Sequence, residues 1–396
     1  MIKFGIRHNL LYPMMLASFT FMRNVENILI RKLLDFNGSV ILTLIMFFAE
    51  FISGLILYKY QLRMSKKKGT TLMGISLKQN SSYKSNSNSN NITLYILIFS
   101  TSLFDFTEFT IINYYFPKLH YKSNTLVIRL QNLTTLFSSF FYKYLLKFNI
   151  FKHQKLSILI IFFCLMSIII SVNFYVVNIK EYFSIIFLML VNYFFFSLIG
   201  ITEKFLLEKT YINPFQMLMI EGIFGIILTS IFSIFVENPF KEIKHFYNKN
   251  KENNKNMYLV FSLFICFLLN AGKNIYRVST NKLYSPMTIM LTESIMDPFL
   301  IIYYHICEND LSNYFWFIIN IVLSFIMVFF GFVFNDFLVL YCCNLEHDTH
   351  YEISRRASKK ENNRLLSEIE VSLNDEYLVR LGKENELNNP KNLFNI

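Results

Sequence analysis

Apolar runs of about twenty residues follow one another along the chain, separated by short polar breaks, and a run of that length crosses a hydrocarbon core of about 30 Å as a helix. Such runs lie near 9–30, 38–60, 92–117, 123–146, 156–178, 182–205, 214–236, 257–280, 284–306 and 314–338. The pattern predicts an all-α integral membrane protein with ten spans. Two breaks are long: 66–91, which contains SNSNSNN, and 248–256, NKNKENNKN. Both are polar and low in complexity, so they are expected to be disordered, 66–91 as a cytoplasmic loop. Residues 339–396 are expected to form a largely disordered tail.

Two of the runs are the same helix written twice. MFFAEFISGLIL from Met46 and MLMIEGIFGIIL from Met217 share six of twelve positions, and Glu50 aligns with Glu221 and Gly54 with Gly225. They fall in the second and seventh spans. An odd separation of five turns the second unit upside down, so residues 1–178 and 182–338 are expected to be two inverted five-helix repeats about an axis in the membrane plane. The fourth span from Ser123 also aligns without gaps on the ninth from Ser285, placing Gln131 opposite Glu293.

Composition agrees: 54% hydrophobic and 16% charged residues, with mean hydropathy +0.38, exceed what one soluble core holds. Lys and Arg are unevenly spread. With both termini on one side, 25 of them flank that side and 10 the other, which predicts cytoplasmic termini. The net charge of +11 then reads as topology and contact with anionic lipid, and no nucleic-acid-binding module is visible.

Charged side chains inside a span normally face a cavity or a partner, because each costs at least about 2.5–3.5 kcal/mol at the bilayer centre. Here Glu50 and Glu221 sit mid-helix, Asp105 and Glu108 are three apart, and Glu293 and Asp297 are four apart, each pair sharing a helix face. Opposite in sign stand Arg23, Arg129 beside Gln131 and Asn132, and the stripe Asn270, Asn274 and Arg277 with Lys273 alongside. A central polar cavity is the economical expectation. Glu50 and Glu221 read either as a proton or cation site or gate, or as interhelical hydrogen bonds beside Gly222 and Gly225. Arg129 and Lys273 read either as contacts for an anionic substrate group or as counter-ions to Asp105, Glu108 or Glu293. Pro286 and Pro298 bracket the polar part of the ninth span and can free carbonyls there.

The remaining signals are short. Cys164, Cys266, Cys307, Cys342 and Cys343 show neither metal-ligand spacing nor a disulfide framework. Cys342 and Cys343 are candidates for palmitoylation, or are plain juxtamembrane thiols. Arg355-Arg356-Ala357-Ser358 resembles a basophilic kinase site. Glu361 with Leu365 and Leu366 resembles an acidic dileucine sorting signal, or else one face of an amphipathic helix. No metal motif, nucleophile elbow or phosphate loop points to an enzyme or a cofactor, and His120, His153, His245 and His305 are expected to be solvated or headgroup-facing.

Three stretches carry a family resemblance: MFFAEF from Met46, TEKFLLEKTYINPFQMLMIEGIFG from Thr202, and Leu126 to Asn132. Through them residues 8–340 resemble the drug/metabolite transporter superfamily, within it solute carrier family 35, the nucleotide-sugar-transporter-like family, closest to its F branch. The resemblance marks Glu50, Arg129, Glu203, Lys204, Phe205, Pro214, Glu221, Gly222, Phe224 and Gly225, and implies ten spans and alternating access. Ala49 and Leu130 replace family glycines, and no late Lys-bearing nucleotide-sugar motif is present. The expectation is a secondary carrier of a small polar metabolite in an endomembrane, lysosome- or vacuole-like or Golgi, with Glu50 or Glu221 coupling it to protons. Nucleotide-sugar exchange for a nucleoside monophosphate and a non-transporting scaffold are the alternatives. Monomer and homodimer both stay open.

Overall fold

The computed structural model describes residues 2–4, 11–32, 34, 36, 38–68, 87–115, 130–147, 150–173, 179–210, 212–236, 238–249, 255–308, 314–341, 345, 349, 352 and 356. Its helices are α1 (Leu11–Lys32), α2 (Ser39–Lys68), α3 (Ser87–Thr110), α4 (Leu133–Tyr144), α5 (Lys152–Asn173), α6 (Ile179–Lys209), α7 (Pro214–Phe235), α8 (Pro239–Lys249), α9 (Lys255–Leu283), α10 (Pro286–Glu308) and α11 (Tyr314–Phe334). A π turn, Ile111–Tyr115, continues α3. Strands β1 (Ile2–Phe4) and β2 (Leu338–Leu340) pair antiparallel, so the segment before α1 lies beside the segment after α11.

Among the described residues, seven helices are long and apolar enough to cross a membrane: α2, α3, α5, α6, α7, α9 and α11. The chain is therefore a helical, multi-pass membrane protein. The apolar runs of α1 and α10 are broken by Arg23 and Glu26 and by Glu293 and Asp297, and α4 is 12 residues long.

α2 and α7 form the most extensive helix pair. Gly54 lies against Phe215 and Met219, while Gly222 lies against Phe47 and Phe51. Contacts move forward along α7 as they move back along α2, so the pair runs antiparallel. A Cβ at Gly54 would stand 2.6 Å from the Met219 nitrogen, and one at Gly222 2.5 Å from the Phe51 nitrogen. Only glycine permits this approach of backbone to backbone. α7 starts where Pro214 occupies its first turn and the Asn213 side chain accepts from the Phe215 N–H at 2.9 Å. That start sets Glu221 two turns into the helix, level with Glu50.

The larger packings come in matched pairs. α1 packs on α9 and α3 on α6; α1 on α10 and α6 on α4; α2 on α9 and α7 on α3; α11 on α10 and α5 on α4. Three more contacts, α2 with α7, α4 with α10 and α5 with α11, join the members of the expected repeats to each other. An apolar cluster of Ile161, Leu165, Ile168, Met189 and Met327 cements α5, α6 and α11.

Several boundaries differ from expectation. The 66–91 break is helical at both ends, as α2 reaches Lys68 and α3 begins at Ser87. Of the fourth span, 123–129 lies outside the described residues, and 130–132 form a turn leading into α4. The 248–256 break is likewise helical at both ends, as the amphipathic helix α8 reaches Lys249 and α9 begins at Lys255; α8 carries no long apolar run because its apolar positions recur every three or four residues among lysines.

Candidate functional site

At the level where α2 crosses α7, Arg277 reaches in from α9 and is surrounded by acids. Its Nη2 lies 3.3 Å from Glu50 Oε1, 3.1 Å from Glu203 Oε1 and 3.9 Å from Glu221 Oε2, and its Nη1 lies 3.6 Å from Asp105 Oδ2. Four helices supply the four carboxylates: α2, α3, α6 and α7. All five side chains are buried. Only the Glu50 contact has hydrogen-bond geometry, and Arg277 Nε, Glu50 Oε2 and both oxygens of Glu221 have no hydrogen-bond partner among the described residues. One guanidinium holds four acids electrostatically and leaves much of their accepting capacity unspent.

One turn earlier on α9, Lys273 forms a second layer. Its Nζ lies 3.3 Å from Glu293 Oε1, whose other oxygen accepts from Gln131 Nε2 at 2.6 Å. Asn132 Nδ2 donates to Asp297 Oδ2 at 2.7 Å. Adjacent residues at the start of α4 thus read two acids spaced one turn apart on α10. Gln131 and Glu293, set opposite each other by the alignment of the fourth and ninth apolar runs, touch each other. Lys273 also stands 5.9 Å from the Phe196 ring centroid, and Arg23 5.0 Å from that of Phe109. Glu108 is buried with Asp105, Lys273, Arg23 and Glu293 as its electrostatic neighbours.

Of the polar residues singled out in the sequence, Glu50, Asp105, Glu221 and Arg277 form one centre, and Lys273, Glu293, Gln131, Asn132 and Asp297 the next. Asn270 bonds locally, its Nδ2 donating to Cys266 O at 2.8 Å, and Asn274 is buried with its Nδ2 unpaired among the described residues. Arg129, Cys342, Cys343, Ser358, Glu361, Leu365 and Leu366 lie outside the described residues.

Two residues carry more than the sequence suggested. Glu203, marked only by family resemblance, belongs to the Arg277 centre and also accepts from Asn281 Nδ2 at 3.0 Å. Its neighbour Lys204 points elsewhere: Nζ donates to Asn281 O and Tyr284 O at 3.0 and 2.7 Å, closing the C-terminal turn of α9. The place of Glu203 beside Lys204, near the end of the sixth apolar run, gives no sign in the sequence of the partner it takes. His153 is not solvated as expected: it is buried, with Nε2 2.8 Å from Asp336 Oδ1, and ties the start of α5 to the end of α11.

A cleft near one end of α2 and α7, lined by Thr43, Phe106, Thr110, Tyr114, Thr229 and Phe232, has room for about one water at ≈ 10 Å³. No three His, Cys, Asp or Glu side chains among the described residues are grouped to hold a metal ion. Compared with protein-family models and with curated proteins, the chain matches none.

Proposed function

We propose that this chain is a secondary carrier for a small polar metabolite, working by alternating access between two inverted five-helix halves, with both termini cytoplasmic in an endomembrane. The observation that carries the proposal is the Arg277 centre. Among the described residues, the membrane helices bury the carboxyls of Glu50, Asp105, Glu108, Glu203, Glu221, Glu293 and Asp297, and with them the fewer bases Arg23, Lys204, Lys273 and Arg277. A surplus of acids in a water-poor core is balanced by protons or by other cations, and their exchange is what a coupled carrier needs.

Connections on each side of the bundle support ten crossings. Asn213 Nδ2, between α6 and α7, donates to Gln61 Oε1 near the end of α2 at 2.7 Å. Thr288 at the start of α10 bonds Asn335 after α11, and His153 before α5 meets Asp336. Phe36, between α1 and α2, packs edge-on against Phe246 in α8. Ten alternating spans put each of these pairs on a common side. Seven spans alone would leave α2 and α7 parallel and β1 and β2 on opposite sides, against their contacts.

Acids around Arg277 and Lys273 speak against a nucleotide sugar, whose phosphates need uncompensated bases. The scaffold reading needs intramembrane charges that pair off with one another, and Arg277 with Glu50 and Glu203 and Lys273 with Glu293 are so paired, as they are in an occluded carrier. Proteoliposomes enclosing a pH-reporting dye separate these readings. A pool of small cytosolic metabolites should collapse an imposed pH gradient in wild type and fail to do so with E50Q/E221Q. Flux that persists in the double variant removes the proton-coupling role, and sealed liposomes that pass no metabolite favour the scaffold.

A further inference from the structure

Helix α8 sits between two membrane-crossing helices, α7 ending at Phe235 and α9 beginning at Lys255. Its N-terminus is capped, the Asn238 side chain accepting from the Phe240 N–H at 3.0 Å. Phe246 is buried against Phe36 with ring centroids 5.4 Å apart, and joins the cluster of Ile30, Leu34 and Leu259. This contact fixes the rotation of the helix about its axis. With Phe246 turned to the protein, Phe240, Ile243 and Tyr247 form a neighbouring stripe at three- and four-residue spacing, and they stay exposed at 79, 44 and 53%. Lys244 borders that stripe, and Lys241 and Asn248 lie beyond it, all three exposed. Exposed Phe235 and Met257, at the adjoining ends of the flanking spans, carry the apolar surface on from both directions.

We propose that α8 is a lipid-reading helix: Phe240, Ile243 and Tyr247 seat in the acyl boundary of the leaflet on that side, and Lys244 and Lys241 take anionic phosphate headgroups. The flanking helices hold α8 at the bilayer surface, the stripe is continuous with lipid-facing residues of those helices, and lysines flank it at headgroup height. Through Phe246 and Phe36, headgroup binding bears on the α1–α2 turn and so on the entry to α2. The inference rests on the membrane placement of the flanking helices and is independent of any transported cargo.

The test uses full-length protein in nanodiscs, with Trp316 replaced by Phe and a single tryptophan placed by I243W or, as the control on the polar face, N248W. Variants are compared only when monodisperse and equal in melting temperature. Lipids brominated in the acyl chain should quench I243W several-fold more than N248W, and aqueous iodide the reverse. Replacing one third of the phosphatidylcholine by phosphatidylserine should raise the melting temperature of the protein, and K241Q/K244Q should abolish that rise. Equal quenching at both positions, or an I243W reached by iodide alone, overturns the proposal. An I243W shielded from both quenchers also overturns it, in favour of a second copy or a protein partner on this face. A rise that survives K241Q/K244Q overturns the headgroup role of the lysines.

Discussion

α3 and α9 hold equivalent places in the packing, α3 against α6 and α7, α9 against α1 and α2, yet their buried charges are opposite. α3 brings Asp105 and Glu108; α9 brings Lys273 and Arg277. The two helices share a frame and have exchanged the sign of what they put into it. The consequence is an asymmetric centre on a nearly symmetric support. Arg277 comes from α9 alone, and its acids come from four helices, Glu50 from α2, Asp105 from α3, Glu203 from α6 and Glu221 from α7.

The comparison breaks most severely at its single guanidinium. R277Q should destabilise the protein by about 3–5 kcal/mol, because it leaves buried carboxylates uncompensated, whereas D105N, which removes one of four competing acids, should be near neutral. Thermal unfolding in detergent checks the difference, and D105N in the R277Q background should recover part of the loss. A mild R277Q with a severe D105N would reverse the roles assigned to α9 and α3.

Symmetry of the support is tested next at the helix crossing. G54V and G222V each push a side chain into the partner's backbone and should each cost about 1–3 kcal/mol. Unfolding temperatures lowered by similar amounts would agree with an equivalent place in the two halves, and a marked inequality would argue against one. The smallest effect is expected at the rim. Q61A removes one partly buried hydrogen bond to Asn213 and should cost about 0.5–1.5 kcal/mol, leaving the charge centre untouched.

Much of the support was legible in the sequence because it is written in periodicity and repetition. The Met46 and Met217 stretches marked Glu50 and Glu221 as equivalent positions of a repeat, and the gapless alignment of the fourth and ninth spans set Gln131 opposite Glu293; that each aligned pair also meets in space was not written there. The centre was only half legible. Buried charges announce that they need partners without saying which, so the choice of Arg277 over Lys273 for Glu50 and Glu221, and the membership of Glu203, depend on helix rotations that a sequence does not fix. His153 escaped for a related reason: its partner Asp336 lies far along the chain, and only packing of α5 on α11 brings the two together. α8 escaped because its signal is amphipathic rather than apolar.

Sidedness tests the inverted arrangement most directly. Single cysteines at exposed Arg63, Tyr144 and Asn238, in a background with the native cysteines replaced, can be labelled with a membrane-impermeant maleimide in sealed, oriented vesicles. Ten crossings with inverted halves predict that R63C and Y144C react from one side and N238C from the other. Reaction of R63C and N238C from the same side, as seven crossings would give, would contradict the account.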